Sequence, residues 1–267
     1  MKAVLAIVLC AFSAVGCGTR TSSEMKNIYK EDQDGVRRRD AKAEEMRYAL
    51  SFGGCTYSLI AQNYAITAAH CSEESGALGT SGAAMAAGQK EAKDVQLDSL
   101  IESGLGSDYK IYKIKWTSKK YMKAQHIWTK FALKKSAVKL SIKPAKGDAV
   151  STVGFPYDGE GQAIVSTGFL KKVSNYIVDP YSEIEGSGLY FNAGITGGNS
   201  GGPLFRASDE TLLGLTVSGD TPSYYSPNRP ESSWSADEND VWNIATPIWV
   251  VHEKSQAFRS IVQGGTP

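Results

Sequence analysis

From Ala49 onward the chain reads as short apolar or alternating runs separated by turn residues. The runs are Cys55–Ile66, Tyr109–Trp116, Ile127–Leu133, Ala149–Gly154, Gln162–Val173, Gly188–Asn192 and Leu212–Val217. Runs of this length, broken by Gly, Asn, Asp and Ser, predict strands, and many of them in succession predict an all-β barrel architecture. In Tyr109–Trp116, Lys113 and Lys115 alternate with Ile114 and Trp116, the mark of a strand with one wet face. Residues 72–106 carry many Gly, Ala and Ser and few aromatics, and are expected to be mostly long loops. Pro144 to Asp148 reads as the connection between two halves. Ile248–Val262 places apolar residues at helical spacing and predicts a closing α-helix.

The first residues follow a different pattern. Met1-Lys2 is a basic start, Ala3 to Phe12 is apolar, and Ala14-Val15-Gly16 is small. The apolar run is too short to span a bilayer and reads as a secretory signal over 1–16. Small residues directly before Cys17 resemble a bacterial lipobox, which implies a lipid anchor on Cys17. Ordinary cleavage nearby is the alternative. Gly18 in place of an Asp points to the outer membrane. The expected location is the outer membrane or cell envelope, otherwise the periplasm or the exterior, with membrane contact only through the lipid. Residues 17–48 are polar and are expected to form a tether, with a short helix near Ala41 to Tyr48. Arg37-Arg38-Arg39 is read as a solvated run, or as a processing site.

Composition narrows the class. The chain has 267 residues, 42% hydrophobic and 21% charged, which suits an ordinary globular core. A net charge of +1 offers no overall attraction for nucleic acid. Between Asp108 and Asp148 there are twelve lysines and no Asp or Glu. Most are expected on a solvated face; a basic face for an anionic surface is the alternative. Of the three histidines, His126 and His252 lie in no metal-like spacing. No metal or cofactor is expected.

Two stretches carry chemistry. Gly197-Gly198-Asn199-Ser200-Gly201-Gly202-Pro203 sets a serine among four glycines. Glycines bury nothing, but they permit a tight turn with bare backbone N–H groups, which is what an oxyanion hole requires. A Gly-rich hairpin turn would read the same way. The second stretch, Thr67-Ala68-Ala69-His70-Cys71, supplies the base that a serine hydroxyl needs to become a nucleophile. Together and in this order, TAAHC and GNSGGP resemble the trypsin/chymotrypsin-like serine peptidases. Gly154-Phe155-Pro156, Val165-Ser166-Thr167-Gly168 and Leu213-Gly214-Leu215 resemble the bacterial glutamyl endopeptidase branch.

The resemblance implies two chymotrypsin-like six-stranded β-barrels with a C-terminal α-helix. They would span about 49–143 and about 144–267, within a peptidase domain of 49–267. It implies Ser200 as nucleophile, His70 as base, the N–H groups of Gly198 and Ser200 as oxyanion hole, and a Cys55–Cys71 disulfide clamping the histidine loop. Asn199 stands where zymogen-activated relatives carry an Asp, so no trypsinogen-like activation switch is expected. The residues matching the acid-specific pocket are Ile195 and Thr216, which point to an apolar or small P1 residue. The loop Thr221–Asp240 is a candidate overhang on that pocket. A protein or peptide substrate and a monomer are expected.

One position departs from the family. The triad acid sits before an apolar-Ala-apolar strand; read as Phe131-Ala132-Leu133, that strand follows Lys130. Three readings follow. Another acid serves, from Asp108, Asp98 or Asp94. A His70–Ser200 dyad works without one, at a loss of roughly 10⁴ in turnover. Or the chain is a catalytically inactive relative that binds on the same fold.

Overall fold

The computed structural model describes residues 37–42, 45, 49–71, 78–81, 94–104, 106–119, 122, 144–157, 161–179, 184–219 and 243–267. Cys17, His126, Lys130, the strand expected at Ile127–Leu133 and the loop Thr221–Asp240 lie outside them.

The first barrel is closed. It comprises β2 (Ala49–Phe52), β3 (Cys55–Ala61), β4 (Tyr64–Thr67), β5 (Leu78–Ser81), β6 (Val95–Gly104) and β7 (Tyr109–Trp116), in the order β2-β3-β4-β7-β6-β5. Leu50, Phe52, Tyr57, Leu59, Ala65, Val95, Leu97, Tyr112 and Ile114 fill it. The run expected as one strand at Cys55–Ile66 is a hairpin, turning at Gln62-Asn63. The loops expected over 72–106 contain β5 and β6. The register of β6 against β7 shifts between Leu97 and Ser99 and again between Leu100 and Glu102. Two bulges erase the period-two alternation by which a strand is recognised.

The second sheet contains β1 (Arg37–Asp40), β8 (Ala149–Gly154), β9 (Ile164–Asp179), β10 (Ile184–Phe191), β11 (Pro203–Arg206), β12 (Thr211–Gly219) and β13 (Asn243–Pro247). Its order is β1-β9-β10-β13-β12-β11-β8, and β8 pairs with β9 as well as with β11, which joins the two ends of the six strands β8 to β13. β1 is added along β9, from Arg37 opposite Thr167 to Asp40 opposite Ile164. Part of the segment expected as a tether is therefore an edge strand, its charged sequence being typical of edges. The main chain of Arg37-Arg38-Arg39 is held in that ladder, which argues against a processing site there. The Arg39 guanidinium holds both carboxylate oxygens of Glu45, at 2.7 and 2.5 Å, and keeps that carboxyl below its ordinary pKa.

The chain closes with α1 (Ile248–Lys254) and α2 (Gln256–Val262) in place of one continuous helix. Ser255 interrupts them in an extended conformation and its side chain accepts from Phe258 N at 2.8 Å. A serine that can cap a new helix competes with continuing the old one. Ile248, Val251, Phe258 and Ile261 pack with Ile60, Ile66, Tyr109 and Ile111 of the first barrel and with Val153, Phe155, Val165 and Leu215 of the second. This shared core fixes one half of the molecule against the other, each large buried side chain contributing about 1.5–3 kcal/mol.

Tyr109 sits in that core and donates to Glu102 at 2.9 Å, while Glu102 also accepts from Ala257 N at the start of α2. Burial, then the bond to Glu102, pushes the phenol above its ordinary value of 10.0. A folded-state value raised above the unfolded one gives stability that is fully present below about pH 10 and lost as the pH rises beyond it. Urea unfolding followed from about pH 8 to about pH 11 is expected to show stability falling above about pH 10. Tyr109→Phe is expected to flatten that fall; an unchanged slope would contradict it.

Candidate active site

His70 lies in the turn after β4, and Cys71 beside it is joined to Cys55, the first residue of β3, with Cα atoms 6.2 Å apart. The bridge pins the His70 turn to the first barrel, as expected. Lys110, buried in β7, adds a second tie by donating to the Cys71 carbonyl at 3.3 Å.

The carboxylate beside His70 is Asp108. Its Oδ1 accepts from His70 N at 3.0 Å and its Oδ2 lies 2.8 Å from His70 Nδ1. An ionised carboxylate can only accept, so Nδ1 carries the proton and Nε2 is left as the basic nitrogen. The Asp108 side chain is 0% exposed and that of His70 32%, so the pair is shielded on one side and reachable on the other. Of the three readings, this pairing supports the one in which another acid serves; Lys130 itself lies outside the described residues. The strand after Asp108 is β7, which begins Tyr109-Lys110-Ile111. A buried lysine occupies its second position, where the family pattern has Ala. Asp108 is one of the three aspartates between His70 and Asp148. Of the other two, Asp98 pairs with Lys113 at 3.5 Å, while Asp94 is buried at the start of β6.

Asp108 occupies the turn between β6 and β7 with φ 43, a left-handed conformation that Asp tolerates better than most residues. The preceding Ser107 is held from the second half of the molecule. Its carbonyl accepts from Thr246 Oγ1 at 2.8 Å, and its hydroxyl lies 2.6 Å from Lys254 Nζ.

Ser200 and its glycines form a loop in which every carbonyl from Gly197 to Gly202 is held. Gly197 O accepts from Tyr157 N at 2.8 Å and Gly198 O from Thr56 Oγ1 at 2.7 Å. Asn199 O accepts from Gly202 N at 2.8 Å and Thr216 Oγ1 at 3.0 Å. Ser200 O accepts from Thr56 N at 2.9 Å, Gly201 O from Ser58 Oγ at 2.7 Å, and Gly202 O from Thr216 N at 2.8 Å. In a trans peptide the N–H points opposite the C=O of the same unit. Anchoring the Gly197 and Asn199 carbonyls therefore aims the N–H groups of Gly198 and Ser200 the other way. Among the described residues, no main-chain carbonyl accepts from either of these two N–H groups. Two such donors, one of them on the half-buried Ser200 itself, are available to a developing oxyanion.

The loop meets the His70 segment along its backbone. Gly201, at φ +82, packs so closely on Thr56 O, Thr67 Oγ1 and Ala68 N that no side chain fits there. Among the described residues no hydrogen bond joins Ser200 Oγ to the His70 ring; in the absence of substrate such bonds are often long. Asn199 is buried, with its amide nitrogen 3.1 Å from Thr196 O and its oxygen against Gly154, so its side chain is engaged within its own neighbourhood. Ile195 and Thr216 are buried, and the Thr216 hydroxyl also lies 2.7 Å from Gly202 O. Among the described residues no cluster of three or more metal-ligating side chains occurs.

A family model described as "Trypsin-like peptidase domain" matches residues 55–215. Several solved structures share the fold. One is Rv3671c from M. tuberculosis H37Rv as the Ser343Ala mutant in its inactive form, with TM-score 0.51, 10% identity, and 84% of this chain and 91% of that one covered. The Rv3671c protease in its inactive form gives TM-score 0.50, 12% identity and coverage of 79% and 89%. Its active form gives 0.51, 11%, 79% and 81%. No curated protein matches this chain by sequence.

The packing at Gly201 generates a stability prediction. Gly201→Ala is expected to cost about 3 kcal/mol in urea unfolding, combining left-handed strain with a backbone collision. Gly147, at φ +92 with nothing near its would-be Cβ, is the control, and Gly147→Ala is expected to cost about 1–2 kcal/mol from strain alone. Equal losses in the two variants would contradict the packing described.

Proposed function

The chain belongs to the trypsin-like peptidase family, and from that premise we propose that it is a serine endopeptidase working through an acyl-enzyme. Ser200 Oγ attacks the scissile carbonyl and its proton passes to His70 Nε2. Asp108 holds the ring's orientation and stabilises the imidazolium. The N–H groups of Gly198 and Ser200 receive the negative charge on the carbonyl oxygen. The His70 proton then goes to the leaving amine, and water repeats the sequence to release the acyl group. No cofactor takes part. The observation that carries the reading is the shielded carboxylate on His70 Nδ1, which a non-catalytic fold has no need to place there.

The substrate is a protein or peptide with an apolar or small P1 side chain. A Thr216 hydroxyl spent on two loop carbonyls is poorly placed to bind a glutamate side chain, which argues against the specificity of the glutamyl endopeptidase branch. The protein is exported, with Cys17 as lipid anchor and the outer membrane or cell envelope as its site. The Cys55–Cys71 disulfide fits an oxidising compartment.

Protein lacking residues 1–17 is expected to react with a fluorophosphonate probe. Ser200→Ala and His70→Ala are expected to abolish labelling. Asp108→Asn is expected to lower turnover by roughly 10⁴, whereas Lys130→Met leaves it within about threefold, as for a substitution outside the triad. Absence of labelling in folded, disulfide-intact protein would contradict the peptidase reading and favour a binding protein on the same fold.

A further inference from the structure

The carbonyls of the serine loop are anchored by several residues, but one of them acts at more than one place. Thr56, next to the half-cystine Cys55 in β3, is 0% exposed. Its hydroxyl donates to Gly198 O at 2.7 Å and accepts from Phe155 N at 3.0 Å. Its own N–H donates to Ser200 O at 2.9 Å, and its carbonyl accepts from Thr67 Oγ1 at 2.8 Å. A hydroxyl has a single proton, so donation to Gly198 O and acceptance from Phe155 N-H form one consistent arrangement. Main chain and side chain of one residue thus grip the carbonyls on either side of Asn199, and the same hydroxyl ties them to the segment after β8 in the second sheet.

We infer that Thr56 is a positioning residue for the oxyanion donors, holding the Gly198–Ser200 backbone in its receptive form from within the first barrel. The inference rests on the serine-peptidase reading for its catalytic consequence, though not for its structural one. Gly198 stands at φ 100 with Phe155 O and the Pro156 Cα where a Cβ would have to go, while its carbonyl is gripped by the Thr56 hydroxyl. Releasing that carbonyl frees the Gly198–Asn199 peptide to rotate, and the neighbouring donors lose their aim. The Cys55 bridge to Cys71 and the Thr56 bonds to the loop are consecutive in sequence. One dipeptide therefore sets the distance between the His70 turn and the Ser200 loop. Among the described residues this network uses no chain terminus, and the side chain at Asn199 carries no charge for one to pair with.

The chemistry specifies the substitutions. Thr56→Val keeps the shape and loses the hydroxyl, leaving Gly198 O without its donor and Phe155 N–H without its acceptor. Thr56→Ser keeps the hydroxyl and loses only a methyl. Amide hydrogen exchange reads the loop directly, because Asn199, Gly201 and Gly202 donate to Thr196 O, Thr216 O and Asn199 O. In disulfide-intact protein, Thr56→Val is expected to speed exchange at these three amides about tenfold or more, with Ile111 and Tyr112 in β7 unchanged. Turnover of a peptide ester, or the fluorophosphonate labelling rate, is expected to fall about 10²-fold with KM within about twofold. Thr56→Ser is expected to stay near wild type in both. Wild-type exchange in Thr56→Val overturns the inference whatever the activity does. So does a Thr56→Ser variant as impaired as Thr56→Val, since packing and not the hydroxyl would then be responsible. Should Thr56→Val fail to fold, Thr56→Ala removes the same hydroxyl and is read in the same way. Failure of the wild-type protein to label at all contradicts the peptidase reading, while the exchange pattern still decides the role of Thr56.

Discussion

A peptide carbonyl that is held cannot turn, and with it the N–H on the other side of the same unit is fixed. That constraint acts at six consecutive residues, Gly197 to Gly202, and the rest of the site depends on it. Glycine makes the path possible: Gly198 and Gly201 sit at φ 100 and 82, where other residues pay for a Cβ. The hydrogen bonds then remove the freedom that glycine brings. The outcome is a pair of donors, at Gly198 and Ser200, whose direction is set before any substrate arrives. Such preorganisation is what makes an oxyanion site effective, because no reorganisation remains to be done during reaction.

The two barrels supply this arrangement in parts that neither contains alone. The first contributes Thr56 and Ser58 on β3, the His70 turn closed by its disulfide, and Asp108 in the β6–β7 turn. The second contributes Tyr157 and Thr216 to the loop carbonyls and Thr246 to Ser107, the residue before Asp108. The apolar core shared by the barrels and α1 and α2 keeps these parts in register. Loss of that packing breaks the bonds from Thr56 and Ser58 to the serine loop and those from Thr246 and Lys254 to Ser107, so both parts of the site depend on it.

The sequence discloses much of this because some signals are local. Serine among glycines, and histidine before cysteine, are legible as they stand, and so is the all-β class from short runs and turns. The acid was not, for a specific reason. A buried lysine follows Tyr109 in β7 and donates to Cys71 O, so the strand after Asp108 does not look like a strand that lines a site. The carboxylate beside His70 is fixed by a contact between residues 38 apart, which one sequence does not reveal. β6 was hidden by its bulges, β1 by its charges, and the break at Ser255 by a helical period that continues through it. In each case a tertiary contact or a cap outweighs the periodicity.

On the proposed function, the Gly198 and Ser200 N–H groups, with His70 held by Asp108, form a site ready for a tetrahedral oxyanion. The most direct measurement is the backbone amide spectrum of protein lacking residues 1–17 while a peptidyl boronic acid with an apolar P1 residue is added. The expected result is an adduct on Ser200 Oγ, downfield shifts confined largely to the amides of Gly198 and Ser200, and a deshielded proton on His70 Nδ1. Folded protein that shows neither the adduct nor those shifts would contradict it.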